Sequence, residues 1–106
     1  MNENEIFEFP DAIEVPPVHP GRTLAAELAA RNLSANALAL KLRVPANRIS
    51  EIVRGQRGIS PETALRLGHF FGTSAQFWVN LQANYDLAVA RQEFGATIRR
   101  EVEVAE

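Results

Sequence analysis

Cysteine is absent from the 106 residues. That excludes a disulfide framework, a thiolate metal site and a cysteine nucleophile. No run of about 18 apolar residues occurs, so nothing is expected to span a membrane. The first 15 residues carry no basic side chain and no apolar core segment, which excludes a secretory signal. The expected location is therefore the cytoplasm. No glycine-rich phosphate loop is present, and Gly55 and Gly58 read as helix punctuation. His19 and His69 are the two histidines, and no spacing links either to a nucleophile or to a set of metal-binding partners. Glu62 reads as a helix-start acid; Asp86, Arg91 and Glu93 read as a solvated face. Neither catalytic residues, nor a metal site, nor a cofactor is expected, and the chain does not read as an enzyme.

Of the residues present, 46% are hydrophobic, enough for one domain with a real core. The formal net charge of −2 at first argues against nucleic acid. The distribution argues the other way. Residues 1–15 hold Glu3, Glu5, Glu8, Asp11 and Glu14, whereas residues 34–59 hold Lys41, Arg43, Arg48, Arg54 and Arg57 against Glu51 alone. Such asymmetry suits phosphate binding.

Residues 1–17 read as an acidic arm ending in Pro16-Pro17, either a frayed tail or a segment that docks on a partner through Ile6, Phe7, Phe9 and Ile13. The spacing then predicts five helices. The first runs from Pro20 to about Asn32 with Leu24, Ala25, Leu28 and Ala29 at helical spacing. The second follows the Ser34 cap to about Leu42, with Leu38, Ala39 and Leu42 inward. The third begins at Pro45, buries Ile49, Ile52 and Val53, and stops at Gly55. The fourth opens at Ser60-Pro61-Glu62, buries Ala64, Leu65, Leu67, Phe70 and Phe71, and stops at Gly72. The fifth runs from Ser74 toward Gly95 with Phe77, Trp78, Leu81, Tyr85, Ala88 and Val89 inward. Residues 96–106 are left as a short tail that is strand, helix extension or disordered. The result is an all-α, five-helix bundle with its main domain at 18–95.

Residues 34–54 carry the functional signal. Two helices meeting steeply through a short turn need a small residue at the crossing, which Ala39 supplies. They need apolar wedge residues, which Leu38, Leu42, Val44, Ile49 and Ile52 supply. Arg43-Val44-Pro45 fits the turn. The third helix then presents a polar face of Ala46, Asn47, Ser50, Glu51 and Arg54, with Arg48 at its edge, and Ala46, Asn47, Arg48, Ser50 and Glu51 are the expected readers of base edges in a major groove. Asn47 can pair with adenine, Arg48 with guanine or phosphate, and Glu51 with a cytosine amine. Phosphate contacts are expected from Ser34, Asn36, Arg43, Arg54, Gln56 and Arg57. Phe77, Trp78 and Tyr85 suggest either a base-stacking platform or, better for their helical spacing, core and dimer contacts. Because the fifth helix is apolar on more than one side, Phe77, Trp78, Leu81, Tyr85 and Val89, with the tail, are the expected homodimer interface.

Val18-His19-Pro20-Gly21-Arg22-Thr23-Leu24 resembles the opening of HigA-type (VapI-like) antitoxins in the Xre/Cro helix-turn-helix group. Val44-Pro45-Ala46-Asn47-Arg48-Ile49-Ser50-Glu51-Ile52, Gly55-Gln56-Arg57-Gly58-Ile59-Ser60, Thr63-Ala64-Leu65-Arg66-Leu67 and Phe71-Gly72-Thr73-Ser74-Ala75-Gln76-Phe77-Trp78-Val79-Asn80-Leu81-Gln82 extend the likeness to about residues 18–92. The resemblance implies a lambda-repressor-like fold. It also implies a dimer that binds double-stranded operator DNA, represses its own operon and neutralises a RelE-like ribonuclease toxin, HigB. The alternative is a stand-alone Xre-type regulator with no toxin partner. Two positions depart from the family pattern: Arg43 stands where the turn usually has glycine, and Arg22 where an acid follows Pro-Gly. A non-glycine residue at a turn needing positive φ implies strain or a different shape there.

Overall fold

The computed structural model describes residues 16–105. They form five α-helices and, among the described residues, no strand: α1 (Pro20–Ala30), α2 (Ala35–Leu42), α3 (Ala46–Val53), α4 (Pro61–Phe71) and α5 (Ala75–Glu101). The expected all-α, five-helix class is what the chain adopts. It divides into one unit over Val18–Tyr85 and a second containing the stretch from Asp86 onward. The arm residues Ile6, Phe7, Phe9 and Ile13 lie outside the described residues.

Side chains start four of the helices. His19 Nδ1 accepts the Gly21 amide at 2.9 Å, and Pro20 occupies the first turn of α1. Ser34, Ser60 and Ser74 oxygens accept amides of Ala37, Thr63 and Phe77 at 3.0, 3.2 and 3.0 Å. The third helix begins one residue later than expected, with Pro45 as its N-cap. The first ends at Ala30, two residues early, because Asn32 turns left-handed at φ 52°. Leu33 N then donates to Leu28 O at 2.9 Å and Asn32 N to Ala29 O at 3.2 Å, which closes the helix end.

In the first unit the buried core comprises Leu24, Leu28, Leu38, Ala39, Leu42, Ile49, Ile52, Ile59, Ala64, Leu67 and Trp78. Trp78 is 0% exposed, and its indole Nε1 donates to Thr73 Oγ1 at 3.0 Å, so the buried donor is satisfied. Two glycines permit close helix approach. A Cβ on Gly21 would lie 2.0 Å from the Ile52 carbonyl oxygen, and one on Gly68 would lie 2.8 Å from Ala75 N. The first contact seats the start of α1 on the end of α3.

Three expected core residues face outward instead: Leu65 is 64% exposed, Phe70 37% and Phe77 41%. The reason is helical phase. In α4 the inward row is Ala64, Leu67, Gly68 and Phe71, and Leu65 and Phe70 fall off that row. In α5 the row through Ala75, Trp78 and Val79 leaves Phe77 outside. Ala29 is likewise exposed.

From Asp86 onward the chain continues as helix through Gly95 to Glu101, so the helix extension is the form residues 96–101 take. Gly95 does not adopt positive φ, and a mid-helix glycine costs only about 1 kcal/mol. Leu87, Phe94, Ile98 and Val102 are exposed along this stretch. No helix among the described residues is long and apolar enough to cross a membrane.

Candidate nucleic-acid interface

The direction of α3 depends on the turn that precedes it. Arg43 adopts φ 60°, ψ 47°, the left-handed conformation that its departure from glycine pointed to. The turn keeps a closed hydrogen-bond pattern: Arg43 N donates to Leu40 O at 3.2 Å and Val44 N to Ala39 O at 3.0 Å. The strain is therefore confined to one residue's dihedrals. Ala39 is buried at the α2–α3 crossing, and Leu38, Leu42, Ile49 and Ile52 fill the wedge while Val44 packs against it.

At the start of α2, Ser34 Oγ takes the Ala37 amide, which leaves the first-turn amides near Asn36 for an outside acceptor. α3 has no side-chain cap; its Arg48 amide donates to Pro45 O at 3.0 Å, and no side chain takes the amides of Ala46 and Asn47 before it. Ala46 and Asn47 are exposed there, while Arg48, Ser50 and Glu51 are half-buried.

Most of the residues predicted to face DNA fall into two groups, and Ser34, Asn36, Arg43 and Ala46 belong to neither. In the first, Glu51 is the hub. One of its oxygens accepts from Arg57 Nε at 2.8 Å; the other accepts from Asn47 Nδ2 at 3.4 Å. Ser50 Oγ donates to Asn47 O at 3.2 Å, Gln56 N donates to Glu51 O at 2.8 Å, and Arg54 Nε donates to Gln56 Oε1 at 3.2 Å. Asn47, Ser50, Glu51, Arg54, Gln56 and Arg57 thus form one linked surface at α3 and the loop after it. Gly55, at φ 76°, turns that loop. Gln82 anchors its far end by accepting the Ile59 amide at 2.8 Å.

The second group is one that the sequence did not reveal. Arg48 Nη1 lies 3.5 Å from Glu62 Oε1, and Glu62 Oε2 accepts from Arg66 Nη2 at 3.0 Å. Arg66 Nη1 also donates to Leu42 O at 2.8 Å. The only sequence signal at Glu62 was a first-turn acid, which does not announce a partner on another helix.

Arg43 lies at the opposite end of α2 from Ser34. It lines an open groove of about 360 Å³ with Lys41, Leu42, Leu65, Arg66, His69 and Phe70. His19 caps α1 and sets its ring edge-on to Tyr85, 4.9 Å between centroids. Trp78 occupies the core, the first of the two places its spacing allowed, and has no surface left for a second copy; Phe77 keeps an exposed face. No cluster of potential metal ligands occurs among the described residues.

The chain matches a helix-turn-helix family model (HTH_3) over residues 24–78. It is 53% identical over 81 residues to virulence-associated protein I of Dichelobacter nodosus, covering 76% of this chain and 75% of that protein. An addiction-module antidote protein of a HigA family from Coxiella burnetii superposes with a TM-score of 0.83 at 46% identity, covering 86% of this chain and all of that one. The Pseudomonas aeruginosa antitoxin HigA, solved with the higBA promoter, superposes with a TM-score of 0.83 at 48% identity, covering 85% and 99%.

Proposed function

From a chain that belongs to the Xre-like helix-turn-helix family and whose structural relatives are HigA-family antitoxins, we propose a sequence-specific DNA-binding antitoxin that represses its own operon. It acts by binding and not as an enzyme, and its workplace is the cytoplasm. The observation that carries the reading is the linked polar surface of α3, built on the same fold as a relative solved with promoter DNA. α3 enters the major groove. Asn47, Arg48 and Ser50 meet base edges, with Ala46 beside them and Glu51 either reading or steering. Ser34, Asn36, Arg43, Arg54, Gln56 and Arg57 meet phosphates. A two-fold dimer through Phe77, Leu81, Tyr85 and Val89 sets two copies of α3 on half-sites about 34 Å apart or a multiple of that. Selecting duplexes from a random library with the wild-type protein tests this: two half-sites at helical-repeat spacing support it, and recovery of no common sequence contradicts it.

The toxin is proposed as a RelE-like ribonuclease of the HigB kind. The acids and apolar side chains of residues 1–15 supply charge and shape for a basic enzyme surface. Deleting residues 1–16 should abolish neutralisation and leave DNA binding intact. Intact neutralisation places the toxin on the folded domain. A chain that neutralises no toxin encoded beside it is the stand-alone regulator instead.

A further inference from the structure

Four groups from three helices form a strut behind the reading face. Leu42 contributes its carbonyl at the end of α2. Arg66, on α4, donates Nη1 to that oxygen at 2.8 Å. The rest of the same guanidinium forks onto one Glu62 oxygen, Nε at 3.2 Å and Nη2 at 3.0 Å. Glu62's second oxygen is thereby aimed at α3, where it meets Arg48 Nη1 at 3.5 Å. The two carboxylate oxygens divide the work: one is fixed by Arg66, the other faces Arg48.

We propose that Glu62 is a positioning residue for sequence readout, holding the Arg48 guanidinium in a reading orientation. This rests on Arg48 reading bases as proposed above. A free arginine side chain carries about 2 kcal/mol of rotamer entropy, part of which is lost when a base pair is read. A guanidinium held at Nη1 keeps Nε and Nη2 for the paired acceptors of guanine. Arg48 is also shielded, at 26% side-chain exposure against 61% for Glu62, so the ion pair restrains the more buried partner. An isolated exposed pair contributes little to stability, and the strut's consequence is therefore sought in specificity. The carboxylate has a second effect. It lies beside a surface that meets phosphates, so it penalises binding to DNA that offers Arg48 no base partner.

The test compares affinities for a duplex selected by the wild-type protein with those for a scrambled duplex of the same composition. Glu62→Ala should lower the selected-to-scrambled ratio about 3- to 10-fold. Glu62→Gln, which keeps an acceptor and loses the charge, should fall between. In an Arg48→Ala background, Glu62→Ala should change the ratio less than about twofold, the signature of action through Arg48. Thermal melts of each variant establish that the compared proteins are folded. An unchanged ratio in Glu62→Ala overturns the proposal, as does an equal loss with and without Arg48. If Arg48→Ala itself leaves the ratio intact, the underlying readout assignment fails, and that result is separate from a failure of the strut.

Discussion

Arg57 directs Nε and Nη2 at the same oxygen of Glu51, each at 2.8 Å, and so ties the loop after α3 back onto α3. Its remaining nitrogen is free to meet a phosphate. Arg57→Ala should weaken binding to selected and random duplexes alike and lower the magnitude of the salt slope by about 1. An exposed pair of this kind is worth about 0–1 kcal/mol, so the melting temperature should barely move. A loss confined to the selected duplex would instead assign Arg57 to base readout.

Arg43 holds a left-handed backbone at φ 60° that costs a non-glycine residue roughly 1–2 kcal/mol. Arg43→Gly removes that strain and adds unfolded-state entropy of about 0.5–1 kcal/mol. The expected net result is stabilisation of up to about 1 kcal/mol, together with weaker DNA binding if the guanidinium meets a phosphate. Urea unfolding checks the first and a gel shift the second. A less stable Arg43→Gly protein would mean that the added unfolded-state entropy outweighs the relieved strain.

Gly21 admits the start of α1 against the Ile52 carbonyl. Gly21→Ala places a methyl 2.0 Å from that oxygen, so backbone must move. A destabilisation of about 1–3 kcal/mol is expected in denaturant melts, with reduced operator affinity because the end of α3 shifts. A neutral result would show that α1 rides away from α3 at no cost.

Phe94 and Ile98 are exposed four residues apart on α5, with Leu87 seven residues before Phe94. This spacing puts a single apolar stripe on the helix beyond Asp86. If the stripe is itself a dimer contact, Phe94→Glu with Ile98→Glu should yield a folded monomer in sedimentation velocity. A dimer unchanged in that variant would leave the contact with Phe77, Leu81, Tyr85 and Val89.

Helix starts and most of the core were legible because their causes are local. Ser34, Ser60 and Ser74 cap as their sequence neighbours suggest, and Leu24, Leu38, Ile49 and Ile52 bury at helical spacing. The polar face of α3 was legible for the same reason. Three things were not. The phase of α4 and α5 is ambiguous where apolar residues occupy more than one side, which misplaced Leu65, Phe70 and Phe77. The length of α5 was hidden by Gly95, whose meaning depends on whether it turns left-handed. The contacts of Glu62, Arg66 and Gln82 join residues 14 to 24 positions apart or on separate helices, and only the fold brings them together.

On the function proposed above, α3 reads DNA through Asn47 and Arg48. The direct measurement is fluorescence anisotropy of the Asn47→Ala, Arg48→Ala double variant on the selected and scrambled duplexes, with wild type in parallel. Each good bidentate contact is worth about 1–3 kcal/mol of discrimination. The variant should melt as wild type does and lose most of its preference for the selected duplex. A folded variant that keeps the full wild-type preference would contradict the assignment of α3 as the reading helix.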